Sequence, residues 1–281
     1  MSAFYKSFIV LLLGILAFAG CKREPALQPV MPANLYKIPQ GNQPYDDTIM
    51  AFYKEYGSYI LYKFTQAEFK SGFDAGSVDS ALQGTPEAVG RAISVFKEHC
   101  LKHYPEAFRK TTMPFVIMLS SGLFIYKPEL QKFFYEDASC RATDKSFTLG
   151  FVNNDLLTKG NDYLNTCTGN MHRYYMTHAI LNGRIRVPEA FRKLTPTNVW
   201  GVTDFYAVGL LEEDMSLNPV VDLGCYIKTI TTHTFEEMQS LYFAPGVDKN
   251  GLIKKKYNIA VNYFKDSCNI DLQAIGNVHP K

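Results

Sequence analysis

One stretch near the middle of the chain, residues 170–182, has a clear helical period. Its apolar and aromatic residues recur every three or four positions, and this spacing places them on one side of an α-helix. These residues are Met171, Tyr174, Tyr175, His178 and Leu181. Thr168 can cap the amino end of such a helix, and Asn182-Gly183 is a typical stop. The pattern predicts a central helix against which the rest of a domain must pack.

The first 20 residues have the features of an export signal. Lys6 supplies a short positive region, and residues 8–18 form an apolar run that is short for a membrane span. Residues 17–21, Ala-Phe-Ala-Gly-Cys, resemble a bacterial lipobox. We therefore expect cleavage before Cys21 and attachment of lipid (palmitate) to that cysteine. The alternative is an uncleaved N-terminal membrane anchor. In both cases the body of the protein is expected to lie outside the cytoplasm.

Residues 21–45 are expected to form a lipid-anchored tether, because closely spaced prolines prevent regular helix there. The prolines are Pro25, Pro29, Pro32, Pro39 and Pro44. Lys22 stands after the cysteine, where some inner-membrane lipoproteins have an aspartate. This favours the outer membrane, and it leaves open whether the protein faces the periplasm or the cell surface.

Residues 46–281 are long enough for a single domain with a sizeable core. The net charge is only +2, with neither a basic stripe nor a glycine-rich phosphate loop, which argues against nucleic acid and nucleotides. The 18 tyrosines and 20 phenylalanines are expected mainly to pack the core, with a glycan-binding face as the alternative. Apart from Cys21, five cysteines remain without CxxC metal spacing, and we assign no disulfide pairs.

The patterns predict an α+β fold, a mostly helical single domain with a small β-sheet beside the central helix. We expect helices at 46–64, 85–104, 128–135, 188–194, 212–230 and 252–267, the last with its lysines outward. A capping box at 234–237 predicts a further short helix, and a final turn begins near residue 270. Strands are expected at 115–119 and 146–153, with loops at 69–84 and 195–206.

The order of these elements resembles the zinc-binding metallopeptidase-like lipoproteins of Gram-negative bacteria, a family with a zincin-type fold. The likeness covers most of residues 46–276 and depends on four regions taken together. They are Met113-Pro114 before the first strand; residues 174–181 leading into 186–191; residues 204–207 followed by 212–215; and Lys256-Tyr257, Tyr263-Phe264 and Ile270-Asp271-Leu272. The resemblance implies a zincin-like domain built around the central helix.

The same resemblance implies that the metal site is degenerate. The family's helix carries the motif HExxH, whose two histidines bind zinc and whose glutamate acts as the base. Those positions are occupied here by Tyr174, Tyr175 and His178, and the third-ligand position falls at Leu217. A phenol with a pKa of about 10 is a poor zinc ligand and a poor base at neutral pH. We therefore expect no catalytic residues and no zinc cofactor.

Other residues offer alternative metal ligands. His178 with Glu213 or Asp214 is one set, and the pair His99 and His103, one helical turn apart, is another. His172 lies six residues before His178, so the two face different sides of the helix. A lone histidine on an apolar helix face is more commonly a hydrogen-bonded core residue, which is the interpretation we favour.

Three functional hypotheses follow from these patterns. The first is a non-catalytic outer-membrane lipoprotein, held at the membrane by lipid on Cys21, with a binding or accessory role in nutrient uptake. Its ligand would be a peptide, a glycan or a neighbouring outer-membrane uptake complex. The second is an active zinc-dependent metallohydrolase with non-standard ligands, drawn from His178, Glu213 and either His172 or Asp204. The third is a structural lipoprotein whose cleft is filled by Tyr174 and Tyr175.

Overall fold

A computed structural model describes residues 35–71, 77–127, 130–211 and 217–279. The helices are α1 Asp46–Tyr56, α2 Gln66–Lys70, α3 Pro86–His99, α4 Glu106–Thr112, α5 Asp155–Thr158, α6 Asn161–Leu181, α7 Glu189–Arg192, α8 Pro219–Thr232, α9 Phe235–Leu241, α10 Leu252–Cys268 and α11 Leu272–Asn277. The strands are β1 Tyr59–Leu61, β2 Ser80–Gln83, β3 Val116–Lys127, β4 Lys132–Glu136, β5 Cys140–Ala142 and β6 Ser146–Leu149. The predicted α+β class with a small sheet is confirmed.

The sheet is mixed and is centred on β3. Strands β1, β3 and β6 run parallel, and β5 is antiparallel to β6 at the edge of the order β1-β3-β6-β5. β3 is 12 residues long, and its second half is flanked by β2 and β4, both antiparallel to it. One long strand therefore belongs to two sheet regions, a buried parallel region and an antiparallel hairpin region.

The central helix α6 packs against the sheet on one side and against α8 on the other. Two glycines permit the close approach of the helices. A Cβ at Gly169 would collide with the side chain of Thr232, and one at Gly224 would press on Arg173. Because neither glycine has a side chain, backbone and neighbouring side chains come together directly, so α6 and α8 form a rigid pair.

Residues 38–281 form one compact unit. Of its cysteines, Cys100, Cys140, Cys167 and Cys225 are buried and Cys268 is partly buried. Within the described ranges, no helix has the length and hydropathy required to cross a membrane. The predicted signal peptide, the lipidation site Cys21 and the first part of the tether lie outside the described residues.

Several helix boundaries differ from the sequence predictions. α6 begins at Asn161, so Thr168 is inside the helix rather than its cap, and its hydroxyl bonds to the Asn165 carbonyl. The first helix ends at Tyr56 because Gly57 adopts a left-handed conformation with φ 66°. The residues after it form β1 in place of the predicted second half of the helix.

Other predictions were wrong about the element itself. The helix predicted at 128–135 is largely strand β4, whose Phe- and Tyr-rich sequence pairs with β3. The loop predicted at 69–84 contains β2, and α4 was not predicted. β3 extends eight residues beyond the predicted strand end at 119, to Lys127. Lys256, predicted to point outward from α10, is fully buried.

The capped helices agree best with prediction. α3 starts at Pro86, and α9 begins with the capping box formed by Thr234 and Glu237. The bounds of α7 and α10 agree with the predicted segments to within two residues. α8 starts at Pro219, capped by Asn218, while the acidic start predicted at 212–214 lies outside the described residues.

Candidate functional site

Helix α6 carries three of the four positions singled out in the sequence, and their side chains meet different surroundings. Tyr175 points into the core, His178 bonds to the loop after β5, and Tyr174 lines a surface cleft. Leu217, the fourth position, precedes α8 and is 40% exposed. Leu217 therefore lies outside the buried surroundings of Tyr175 and His178.

Tyr175 is part of a buried aromatic cluster. Its ring is stacked on Tyr104 at 5.3 Å between centroids and lies 6.2 Å from Phe96 and 6.0 Å from Phe147. Its hydroxyl is hydrogen-bonded to Thr112 at 3.0 Å. Burial raises the pKa of Tyr175 above its ordinary value. The residue is therefore a neutral core phenol, and it cannot act as a base at the position where the resembling family has glutamate.

His178 is 1% exposed, and both of its ring nitrogens have partners. Nδ1 donates to the Thr143 carbonyl at 2.7 Å, and the Asn182 amide lies 3.0 Å from Nε2. These partners assign the tautomer, with the proton on Nδ1 and the lone pair of Nε2 accepting from the amide. Burial lowers the pKa of His178, which keeps the ring neutral. In this arrangement the ring has no lone pair left for a metal ion.

The residues that the structure describes do not fit a zinc centre. Across the described ranges, no group of three or more His, Cys, Asp or Glu side chains is placed to hold a metal ion. Of the positions that the sequence resemblance predicted as ligand and base, His178 is engaged in hydrogen bonds and Tyr175 is packed in the core. Glu213, the alternative ligand, lies outside the described residues. We therefore derive no chemistry through a metal.

A cleft of about 330 Å³ opens beside α6, at the junction of strand and helix. Its lining combines both charges with amide and hydroxyl groups, so it is suited to polar ligands. The lining residues are Glu136 at the end of β4, Asp137, Ala138 and Ser139 between β4 and β5, Asn170, Arg173 and Tyr174 on α6, and Lys228 on α8. The acidic side chains come from the strand side and the basic side chains from the helices.

The cleft wall is held by specific contacts. The Asn170 amide donates to the Ala138 carbonyl at 3.0 Å and thereby fixes α6 against the start of β5. Arg173 is buried, with its guanidinium carbon 5.2 Å from the centre of the Tyr174 ring. Asn170 and Arg173 are not among the site residues predicted from the sequence. The feature that could have indicated them is a polar amide and a cation within a largely apolar helix, because such groups usually have a specific polar partner when buried.

Strand β5 forms the edge of the sheet next to this cleft. Gly150 N–H donates to the Ser139 carbonyl at 2.9 Å, which makes this a hydrogen-bonded pair of the antiparallel ladder. Because bonded and non-bonded pairs alternate along such a ladder, the backbone groups of Cys140 and Ala142 face away from β6. Cys140 is 1% exposed, whereas Ala142 is partly exposed, so this edge can accept another extended chain through main-chain hydrogen bonds at Ala142.

His172 faces a different side of α6 from His178, as their spacing predicts. Its Nδ1 lies 2.5 Å from the hydroxyl of Tyr104, and its ring is 6.0 Å from that of His103. His99 and His103, the other pair considered as ligands, border the same small cavity of about 180 Å³. Burial lowers the pKa of His172 to about 3, and His103 adds a smaller effect in the same direction.

This buried histidine should make stability depend on pH. Unfolded His172 titrates at a pKa of about 6.5, well above its folded pKa of about 3, so its contribution to stability is complete above pH 6.5 and is lost as the pH falls. Between pH 7 and pH 5 we expect this group to cost about 2 kcal/mol of unfolding free energy. Urea titrations of wild type and His172→Gln at both pH values measure it. Equal pH dependence in the two proteins would contradict the assignment.

Comparison with known proteins identifies the fold. No protein-family model matches this sequence, and no curated protein sequence does either. Among solved structures, the chain is similar to a "putative zinc-binding metallo-peptidase" from Bacteroides caccae, with a TM-score of 0.55 and 13% identity over 83% of this chain and 89% of that one. At such identity the likeness shows a shared fold alone. The predicted lipoprotein family and the degenerate motif stay predictions.

Proposed function

We propose that this protein is a non-catalytic binding protein that uses a metallopeptidase-like fold to hold an extended peptide. The observation that carries the proposal is the hydrogen bonding of His178, whose two ring nitrogens are bound to Thr143 and Asn182. A histidine engaged on both nitrogens stabilises the fold instead of presenting a ligand to zinc. The cleft beside α6 is open and polar, so it offers a binding surface that needs no hydrolytic chemistry.

The cleft and the edge of β5 together favour a peptide as the ligand. A peptide chain that adds to β5 can exchange main-chain hydrogen bonds with the partly exposed Ala142, independently of the peptide's side chains. The cleft then receives a polar side chain between the acidic strand side and the basic residues Arg173 and Lys228. This division of roles gives affinity through the backbone and selectivity through the pocket.

The sequence suggests where this binding takes place. With lipid on Cys21 and a proline-rich tether through residue 45, the domain would be held at the outer membrane. In that position it would act as an accessory component of nutrient uptake, capturing peptides near an import complex. Membrane contact in this proposal is made by the lipid and requires no spanning helix in the domain.

One preparation of the full chain tests both parts of the proposal. After incubation with equimolar zinc and desalting, elemental analysis should find much less than one zinc per chain, and fluorescent casein should not be hydrolysed. Fluorescein-labelled tryptic peptides of casein should bind, as measured by anisotropy. Ala142→Pro removes the outward N–H and should weaken binding by about tenfold, because it removes backbone hydrogen bonding at the edge. Ala142→Ser keeps the N–H and is the matched control.

Two results would contradict the proposal. Stoichiometric zinc and casein hydrolysis that are both lost in His178→Gln, with the fold retained, would support the metallohydrolase hypothesis instead. Equal peptide affinity in the Pro and Ser variants at position 142 would remove the edge of β5 from the binding surface.

A further inference from the structure

The antiparallel hairpin region of the sheet has an exposed face made largely of aromatic rings. Register places Phe124 opposite Tyr135 and Tyr126 opposite Phe133, so the four rings project from the same face. Leu82 of β2, opposite Gly122, extends this face on the other side of β3. We call Leu82, Phe124, Tyr126, Phe133 and Tyr135 the aromatic face.

The aromatic face is not covered by the described part of the chain. Tyr135 is 52% exposed, Phe133 is 46% exposed and Leu82 is 45% exposed, while Phe124 and Tyr126 are partly exposed. None of the five belongs to the hydrophobic core or packs against it. Exposed aromatic clusters of this kind are uncommon on soluble domains and mark binding surfaces.

The rings of the aromatic face are held in place by their neighbours. Phe124 and Tyr135 lie 5.1 Å apart between centroids, as do Tyr126 and Phe133. The Tyr135 ring lies over Gly122, where any Cβ would collide with it. Because one side of this ring covers the glycine, its other side is presented outward. A rigid, outward-facing ring loses little conformational entropy when a ligand stacks on it.

The charge pattern restricts the ligand. All five side chains of the aromatic face are uncharged, and the two lysines at the hairpin tip, Lys127 and Lys132, belong to the opposite face, where both lie over the Phe134 ring at 5.0 and 5.6 Å. Asp137 and Asp155 are close enough to add to the effect of burial in raising the pKa of Tyr135. Nucleic acid and anionic lipid need cations at the contact, and this face offers none.

We propose that the aromatic face binds a neutral polysaccharide by stacking of sugar rings. The face of an aromatic ring carries partial negative charge, and it attracts the partly positive C–H groups on the flat side of a pyranose whose hydroxyls are equatorial. The Tyr126 hydroxyl can exchange hydrogen bonds with the sugar hydroxyls at the rim, and the Tyr135 hydroxyl, which donates to the Ser121 carbonyl at 3.5 Å, can accept from them. An uncharged, ring-lined surface therefore matches an uncharged, ring-shaped repeat unit. This proposal is independent of the peptide cleft.

Native gel electrophoresis of the full chain tests it, with hydroxyethylcellulose, a neutral β-glucan, cast in the gel and polygalacturonate as the anionic comparison. We expect retardation by the neutral polymer alone. The double variant Phe133→Ala/Tyr135→Ala should weaken binding at least about tenfold, because two stacking rings are lost. Tyr135→Phe keeps the ring and should bind within a few-fold of wild type. Tyr206→Ala, an exposed tyrosine elsewhere (38% exposed), is the control.

Melting curves of all variants show whether each remains folded, and the substituted side chains are exposed enough for this to be expected. Absence of retardation by the neutral polymer, equal retardation by polygalacturonate, or unchanged retardation of the double variant would overturn the proposal. Analytical sedimentation tests whether a second copy of the chain binds the aromatic face. Flotation with phosphatidylglycerol vesicles tests whether a membrane surface binds it. A dimer or vesicle complex that depends on these rings, in place of glycan binding, would also overturn it.

Discussion

Replacing Lys256 by methionine should lower the free energy of unfolding by about 3–5 kcal/mol, because it leaves the Asp222 carboxylate buried without its countercharge. The Lys256 ammonium is 0% exposed and donates to both carboxylate oxygens of Asp222, at 2.7 and 2.5 Å, and to the Gly209 carbonyl at 2.8 Å. The pair joins α10 to α8, and the bond to the Gly209 carbonyl joins α10 to the loop that contains Gly209.

The surroundings of this ion pair explain why one partner cannot be removed cheaply. The rings of Phe191 and Tyr226 lie 4.8 and 4.7 Å from the Lys256 ammonium, so their faces contribute to its stabilisation. Thr195 donates to the same Asp222 carboxylate at 2.6 Å. A methionine could pack against both rings. The Asp222 carboxylate, however, would lose the ammonium group and keep the hydrogen bond from the Thr195 hydroxyl.

Urea titration of the variants measures whether loss of a buried lysine costs more unfolding free energy than loss of a lysine paired on the surface. Lys249→Met is the matched control, since Lys249 pairs with Asp204 at 2.6 Å on the surface and its loss should change stability by less than about 1 kcal/mol. The double variant Lys256→Met/Asp222→Leu removes both buried charges and should recover much of the loss. If Lys256→Met and Lys249→Met had equal effects, the buried pair would not be the stabilising contact described here.

This pair also shows what the sequence could not predict. Lys254, Lys255 and Lys256 are adjacent and chemically identical, and helical periodicity favoured an outward position for the lysines of α10. Of the three, only Lys256 is fully buried, since it pairs with the Asp222 carboxylate on α8. Asp222 is 34 residues away in sequence, so the pattern within α10 could not indicate it. Local patterns find amphipathic helices and capping residues, but they carry no information about a distant countercharge.

Strand β4 is another case in which distant pairing decided the structure. The proline at the start of residues 128–135 predicts a helix, but the aromatic residues at 133–135 pair with the second half of β3. The same pairing creates the aromatic face. From composition alone, an exposed aromatic face was only the alternative to packing of Tyr and Phe in the core. At the candidate site, the Asn182 partner of His178 is four residues away and was readable from helical spacing. The Thr143 partner is 35 residues away, so only the fold supplies it.

Introducing the HExxH pattern into α6 by Tyr174→His and Tyr175→Glu should destabilise the protein by about 3–5 kcal/mol, without creating a zinc site. The loss comes mainly from position 175, where a buried carboxylate would replace a ring that is stacked on Tyr104 and hydrogen-bonded through its hydroxyl to Thr112. A natural domain has about 5–15 kcal/mol in total, so the double variant should be close to unfolding.

The single variants separate the causes. Tyr175→Phe loses only the bond to Thr112 and should cost about 1 kcal/mol, and Tyr174→His, at the half-buried cleft wall, should cost a similar amount. Urea titration and elemental analysis of the same preparations measure stability and zinc together. A double variant with wild-type stability and one zinc per chain would show that position 175 faces an intact metal cleft. The non-catalytic proposal would then lose its structural reason, because the aromatic cluster is what excludes a base from that position.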